Sequence, residues 1–335
     1  HLGHGDEMLP LREGFIERVG QVSGVPPEVA ARLWEMMASF AGYGFLKAHA
    51  ASYAAVAYQT AYLKAHHPAE FMTALMRNWG GYYPWRVYLG EARRMGMEVR
   101  PPHVNHSGRR FRLEYRPDGR AVLWMGLGQV RELTRKTIAA LLDARQDGRF
   151  RSLDDLLQRA SPRLAEVENL IKAGGLDGWG AGRKALLADL GVRSPSAPLQ
   201  LALPLSWAGE AAERDDTPAE KLIMELEMLG WPVSAHPLQP FARDLAAQGV
   251  VQSDVLARHA GDRVTVAGAR LGLWGERRGR VVLEDEAGFL NVQVPAGHHL
   301  PAGSMGKLGP YRVTGRVQLD RAGEATITAE RVEAL

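Results

Sequence analysis

Residues 40–71 read FAGYGFLKAHAASYAAVAYQTAYLKAHHPAEF and carry the densest set of informative side chains in the chain. Gly42 and Gly44 predict a turn ahead of an alanine-rich helix. Four polar side chains follow that turn at the start of the helix: Lys47, His49, Ser52 and Tyr53. Helix N-termini present unpaired N–H groups and a partial positive charge, which attract anions. The stretch therefore predicts a site for an anionic, phosphate-bearing ligand.

This stretch resembles the fingers region of the alpha subunit of bacterial DNA polymerase III. That family reads GYGFxKxH, then small residues and a tyrosine, then YQTxxLKAHxPAEF, and the match here has no gap. The resemblance implies that Lys47 and His49, followed by Ser52 and Tyr53, contact the triphosphate or base of an incoming nucleotide. Without the resemblance, a helix-capping His49 and a solvated Lys47 are the alternative.

Composition sets wide bounds on the protein. A chain of 335 residues with 46% hydrophobic and 24% charged residues is typical of a globular protein of two or three domains. No apolar run approaches the ~18 residues of a membrane helix, so we expect a cytoplasmic protein without a membrane partner. The absence of cysteine excludes disulfides and thiol chemistry. The net charge of +3 permits nucleic acid as a partner. The opening at His1 predicts a piece of a larger protein.

Two segments, residues 126–145 (GLGQVRELTRKTIAALLDAR) and 167–186 (VENLIKAGGLDGWGAGRKAL), resemble the tandem helix-hairpin-helix module that follows the fingers in the same family. Such hairpins bind duplex DNA by directing backbone N–H groups at phosphates. Glu132 and Thr134 stand where the first hairpin of this family usually has glycine, which hinders a close approach of the backbone to phosphate. We expect the side chains of Arg131, Arg135 and Lys136 to compensate for this. The second copy keeps its glycines and is expected to bind phosphate better. The predicted DNA contacts are Arg131, Arg135, Lys136, Gly180, Gly182, Arg183 and Lys184; a helical spacer with capping glycines is the alternative.

Residues 200–205 read QLALPL, a glutamine followed by spaced apolar residues of the kind that a peptide-binding groove accepts. The hexapeptide is similar to the sliding-clamp-binding motif of bacterial polymerases and lies where this family places it. The resemblance implies clamp contacts from Gln200, Leu201, Leu203, Pro204 and Leu205.

Five alternating segments after Arg263, separated by glycine-centred turns, predict a small closed barrel of oligonucleotide-binding (OB) type. Trp274, Arg277 and Arg278 in its first hairpin, with Phe289 and Tyr311 nearby, suit single-strand binding by stacking and charge. The alternative is a core tryptophan and a solvated loop. The acidic run at residues 284–286 is expected to repel DNA from its own edge.

The predicted fold class is α+β multidomain: a helical fingers remnant and a tandem helix-hairpin-helix domain, followed by a C-terminal OB-type β-barrel. The remnant includes a predicted helix from about Ala50 to His66. The predicted boundaries are 1–100 for the fingers, 101–190 for a small β-hairpin and the hairpin domain, 191–216 for a linker with the clamp motif, 217–260 for a helical connector and 261–335 for the barrel.

Nucleotidyl transfer needs two metal ions on a carboxylate cluster, and nothing here matches the family's palm motif. We therefore expect no catalytic residue, metal site or cofactor in this chain, with Mg²⁺ bound in the missing palm of the full enzyme. The expected partners are DNA, the sliding clamp and other polymerase holoenzyme subunits. Two alternatives stay open: a free-standing non-catalytic DNA-binding adaptor, and a histidine-based metallohydrolase using His66, His67 and Glu70 or His103 and His106.

Overall fold

The computed structural model describes residues 5–41, 47–78, 80–192, 216–272, 279–295, 300–301 and 303–335. The chain divides into two compact units, His1–His66 and His67–Leu335. The first unit is helical, and the second combines helices with a three-stranded sheet and a barrel.

The helices of the first unit are α1 (Gly5–Ser23), α2 (Pro27–Ala41) and α3 (Lys47–His66). The helices α1 and α2 pack together, and the rings of Phe15 and Trp34 lie 5.5 Å apart. Helix α3 begins before the predicted Ala50, so Lys47 and His49 lie in its first turn. No residue of α3 is buried.

The second unit begins with α4 (Pro68–Arg77), α5 (Trp85–Arg94), β1 (Glu98–Arg100), β2 (Arg112–Tyr115) and β3 (Ala121–Trp124). In the sheet, β3 lies between β1, which is parallel to it, and β2, which is antiparallel. Met72 of α4 and Leu89 of α5 are buried in one core with Leu123 of β3. The sequence prediction assigned these two helices to the fingers, residues 1–100. In the structure they pack with the residues that follow them.

The hairpin domain contains α6 (Arg135–Ala144), α7 (Leu153–Ala160), α8 (Leu164–Lys172) and α9 (Arg183–Val192), and the chain continues through α10 (Pro218–Leu229) and α11 (Ala242–Ala247). Apolar residues at helical spacing direct one face of each hairpin helix inward. Leu141, Leu156 and Leu170 are fully buried in the same core as the sheet.

The barrel consists of β4 (Arg263–Arg270), β5 (Arg280–Glu284), β6 (Phe289–Gln293), β7 (Tyr311–Leu319) and β8 (Ala325–Ala334). Its closed strand order is β4-β5-β6-β8-β7, with only the β6–β8 pair parallel among these strands. Alternation places Val266, Leu290 and Ile327 in the barrel core. The predicted OB-type barrel is confirmed. Outside it, Leu271 joins the core of the hairpin domain, and Arg86 Nε of α5 donates to the Leu271 carbonyl at 2.7 Å.

Candidate nucleic-acid interface

The first hairpin turns at residues 131–134, between a 3-10 turn (Leu127–Gln129) and α6. Glu132 has φ 58°, a left-handed conformation that destabilises a residue with a Cβ by roughly 1–2 kcal/mol. Just before the turn, a Cβ on Gly126 would lie 2.6 Å from the Arg109 carbonyl oxygen, so this position requires glycine. The hairpin therefore keeps a glycine-type backbone at Glu132 without the glycine.

A buried carboxylate holds the start of α6 in place. Glu166 of α8 is 2% exposed and accepts hydrogen bonds from the Thr134 amide at 2.9 Å and the Thr137 hydroxyl at 2.7 Å. Burial alone would raise the pKa of Glu166, but hydrogen bonds from Arg163, Thr137 and Thr134 outweigh it and hold this pKa far below its usual value. Glu166 thus fixes the first hairpin to α8.

Three exposed cations surround this helix start: Arg131, Arg135 and Lys136. Within the part of the chain that the structure describes, none of them forms an ion pair. The Arg135 and Lys136 amides belong to the first turn of α6, where helix geometry provides no intrahelical acceptor. The cations, these amides and the helix dipole form a positive surface, which we call the first-hairpin surface.

The second hairpin differs from its prediction because Arg183 is not a surface residue. Its side chain is 1% exposed, and Nη2 lies 2.7 Å from Asp177 Oδ2 and 2.8 Å from Glu225 Oε1. A third bond goes from Nη1 to the Lys172 carbonyl at 3.0 Å. Burial would lower the pKa of Arg183, but the two carboxylates raise it overall, so the guanidinium stays charged. The predicted phosphate contact by Arg183 is wrong because the guanidinium is enclosed and fully paired.

The N-terminus of α9 is also occupied. Asp216, 5% exposed, accepts hydrogen bonds from the amides of Arg183 and Lys184, the latter at 3.2 Å to Oδ1. Gly182 permits this approach, because a Cβ there would lie 3.1 Å from Asp216 Oδ2. A carboxylate of the same chain therefore holds the position that a phosphate was predicted to take. The expectation that this hairpin binds phosphate better than the first is corrected on these grounds.

The remaining predicted DNA contacts of the second hairpin, Gly180 and Lys184, are exposed to solvent. Gly180 is exposed with φ 83°, as a left-handed turn requires. Lys184 is half-exposed, and its ammonium pairs with Glu220.

The four predicted nucleotide contacts lie together on α3 and are exposed. The rings of His49 and Tyr53 are 4.5 Å apart in an edge-on arrangement. The Ser52 hydroxyl donates to the Ala48 carbonyl at 2.8 Å. Lys47 is the first residue of the helix, and Gly42 and Gly44 lie outside the described residues.

The clamp residues Gln200, Leu201, Leu203, Pro204 and Leu205 lie outside the described residues, as do Trp274, Arg277 and Arg278 of the barrel. Tyr311 is a core residue with 1% exposure. The acidic run at the end of β5 does not form the surface that we expected. Glu284 and Asp285 are buried, and Glu284 Oε1 lies 2.9 Å from Arg94 Nη1, so only Glu286 of the three is exposed.

Two candidate metal ligands have other partners in the structure. His103 Nε2 lies 3.1 Å from the Asp177 carbonyl oxygen, and burial lowers the pKa of His103 to about 4. His106 stacks on Trp124 with ring centroids 4.4 Å apart, and its Nδ1 lies 3.1 Å from Glu114 Oε2. Among the described residues, no group of three or more metal-ligating side chains converges.

Sequence reasoning missed the buried carboxylates that organise both hairpins, above all Glu166 and Asp216. A Thr-x-x-Glu capping pattern at Thr217 marks the start of α10 next to Asp216. Nothing local in the sequence pairs Asp216 with α9, from which it is more than twenty residues distant in the chain.

The hairpins and the barrel define a helix-hairpin-helix protein with an OB-type barrel. A family model described as "Helix-hairpin-helix motif" matches residues 96–186, which contain both hairpins. In the described chain, no helix is long and apolar enough to cross a bilayer.

Individual relatives identify the family more narrowly. The chain is 34% identical to DNA polymerase III subunit alpha of Campylobacter jejuni, over 74% of this chain and 22% of that protein. For DNA polymerase III subunit alpha of Thermus aquaticus the identity is 34%, over 86% and 25%. For the error-prone DNA polymerase of Symbiobacterium thermophilum it is 32%, over 100% and 36%.

The chain is therefore homologous to a portion of the bacterial DNA polymerase III alpha subunits and error-prone DNA polymerases, which confirms the resemblance seen in its sequence. It spans between 22% and 36% of the length of these three relatives.

Proposed function

We propose that this chain is part of a DNA polymerase III alpha-type subunit and that its first-hairpin surface binds primer-template duplex through the phosphate backbone. The observation that carries the proposal is the set of three exposed cations around the first turn of α6. Contacts of this kind position a protein on DNA without reading its sequence, which suits an enzyme that must act on every template.

The full subunit performs template-directed DNA synthesis, with Mg²⁺ held by palm carboxylates outside this chain. Within that subunit, the nucleotide contacts are Lys47, His49, Ser52 and Tyr53. Residues 200–205 attach the sliding clamp, and Trp274, Arg277 and Arg278 contact single-stranded template. The chain by itself binds DNA but does not extend primers.

The test measures duplex affinity as a function of salt for the double variant Arg131→Gln/Arg135→Gln. Each phosphate contact that is lost lowers the slope of log K against log salt by about 0.9. We expect the slope to fall by about 2, with an equal effect on unrelated duplex sequences. Fluorescence anisotropy of labelled duplexes supplies the measurement.

The matched control is Arg243→Gln/Arg258→Gln, which removes the same charge from two exposed arginines outside both hairpins. This control is expected to leave the slope unchanged. Equal slopes for the two double variants would assign the affinity to overall charge and reject the first-hairpin surface.

A further inference from the structure

Two neighbouring arginines just before β2, Arg109 and Arg110, are exposed, and within the described residues neither forms an ion pair. Arg110 Nη1 donates to the uncharged Asn78 Oδ1 at 3.4 Å. The other arginines between residues 98 and 124 all pair with a carboxylate of the same small sheet. These pairs are Arg100 and Arg116 with Glu98, Arg112 with Glu114, and Arg120 with Asp118. The fold therefore balances the charge of its sheet arginines except at residues 109 and 110.

Two glycines hold this pair of arginines against the start of the first hairpin. The Leu127 amide donates to the Gly108 carbonyl at 2.9 Å, and the Gly128 amide donates to the Arg109 carbonyl at 3.0 Å. A Cβ on Gly128 would lie 2.9 Å from the Arg109 carbonyl oxygen, closer than a side chain permits, as is also true of Gly126. These two glycines of the hairpin sequence thus serve to admit the backbone of residues 108–110.

The position of Arg109 places it beside the first-hairpin surface. Gly128 is exposed and precedes Arg131 by three residues, which span at most about 11 Å. The Arg109 Cγ lies 3.8 Å from the Cβ position of Gly128, so the arginine stem lies over this glycine. Phosphates of one DNA strand follow each other at about 3.4 Å along the helix axis. A step of this size from Arg131 therefore corresponds to about three phosphates.

The chemistry of the two side chains fits the same polyanion. A guanidinium presents its donors in a planar fork that matches two phosphate oxygens. An arginine with an internal carboxylate partner would have to give up that partner to bind phosphate, whereas Arg109 and Arg110 have no such partner among the described residues.

We infer that Arg109 and Arg110 bind phosphates of the duplex next to those that the first-hairpin surface holds. The duplex contact then extends beyond both hairpins onto the edge of the small sheet. This inference rests on duplex DNA as the partner in the proposed function, and it assigns binding to a segment that neither hairpin contains.

The test measures the salt dependence of duplex affinity for Arg109→Gln/Arg110→Gln by fluorescence anisotropy. Two lost phosphate contacts should lower the slope of log K against log salt by about 2. The matched control is Arg116→Gln/Arg120→Gln, which removes the same charge from two arginines of the same sheet that have carboxylate partners. The slope of this control should equal that of the parent chain. Equal slopes for the two double variants would overturn the inference.

A second variant separates phosphate binding from a structural role. Arg109→Lys/Arg110→Lys keeps both charges and should keep the slope of the parent chain, since lysine also binds phosphate as a point charge. The melting temperature should stay unchanged in both variants because the side chains are exposed. A slope that falls equally with lysine and glutamine, together with a lower melting temperature, would show that the arginines support the fold instead.

Combination with the first-hairpin variant distinguishes the two proposals. Arg109→Gln/Arg110→Gln added to Arg131→Gln/Arg135→Gln should lower the slope by about 4 in total, because each contact releases its own counterions. If only Arg131→Gln/Arg135→Gln leaves the slope unchanged, the first-hairpin surface is rejected and the role of Arg109 and Arg110 stands. If only Arg109→Gln/Arg110→Gln leaves it unchanged, the present inference is rejected and the first-hairpin surface stands.

Discussion

At the scale of single residues, Glu132 combines a strained backbone with an unfavourable charge at the tip of the first hairpin. Its φ of 58° is typical of glycine, and its carboxylate stands next to Arg131 in a surface that we assign to phosphate. Glycine at this position relieves the strain, although it also increases the freedom of the unfolded chain.

We expect Glu132→Gly to raise the free energy of unfolding by about 1 kcal/mol, as measured by urea denaturation. Glu132→Ala is the control, because it removes the charge but keeps the Cβ and therefore the strain. Both variants should bind duplex more tightly, since each removes a negative charge near phosphate. Equal stability of the two variants would show that the backbone of Glu132 is not strained.

Arg183 shows what a local sequence pattern cannot decide. A basic residue after a run of glycines has the same pattern whether it faces DNA or the interior. The difference lies in Asp177 and Glu225, and Glu225 belongs to α10, more than forty residues further along the chain. Without the tertiary fold, no spacing rule connects α10 with the start of α9.

At the scale of elements, Glu166 connects two helices through a carboxylate that must stay ionised. Glu166→Gln should lower the free energy of unfolding by about 2 kcal/mol near neutral pH, because it removes hydrogen bonds to a buried charge. The folded-state pKa lies below the ordinary value of about 4.3. This stabilisation is therefore complete above that value and is lost as the pH falls through the folded-state pKa.

The difference in the free energy of unfolding between the parent chain and Glu166→Gln should thus stay constant from about pH 7 to about pH 4.3 and narrow as the pH falls further to about 3. Urea denaturation at each pH measures this difference. Glu168→Gln, on the same helix but half-exposed, controls for the loss of one carboxylate. A difference that stays constant over the whole of this pH range would show that an ionised Glu166 does not stabilise the fold.

Periodicity predicted most of the elements. The strands of the barrel appear where the alternation placed them, and the small β-hairpin predicted within residues 101–190 is formed by β2 and β3. The sequence could not predict which hairpin leaves its helix-start amides free for phosphate, because this depends on which internal carboxylate reaches each helix start. Glu166 leaves the first α6 amides open, whereas Asp216 covers those of α9.

At the scale of the whole molecule, the hairpin domain precedes the barrel, as the sequence predicts. Clamp attachment through residues 200–205 is our proposal. We expect Leu203→Ala/Leu205→Ala to lower affinity for the cognate sliding clamp at least tenfold, because apolar anchors carry most of the contact energy of such motifs. Surface plasmon resonance measures the loss. Duplex affinity and melting temperature should not change.

Leu199→Ala removes a leucine from the same segment but outside the hexapeptide, and it should bind the clamp normally. Unchanged clamp affinity in the double variant would place the attachment point elsewhere in the chain.

The hydrogen bonds of Asp216 to the start of α9 also limit how far any such attachment can reach. The chain leaves α9 at Val192 and returns to its opposite end at Asp216, two points separated by the helix length of about 15 Å. The roughly two dozen residues between them, even fully extended, can carry their midpoint no more than about 40 Å outward. A protein bound to residues 200–205 would therefore be connected to the hairpin domain through the chain on both sides of this motif, and it would stay within a fixed radius of that domain.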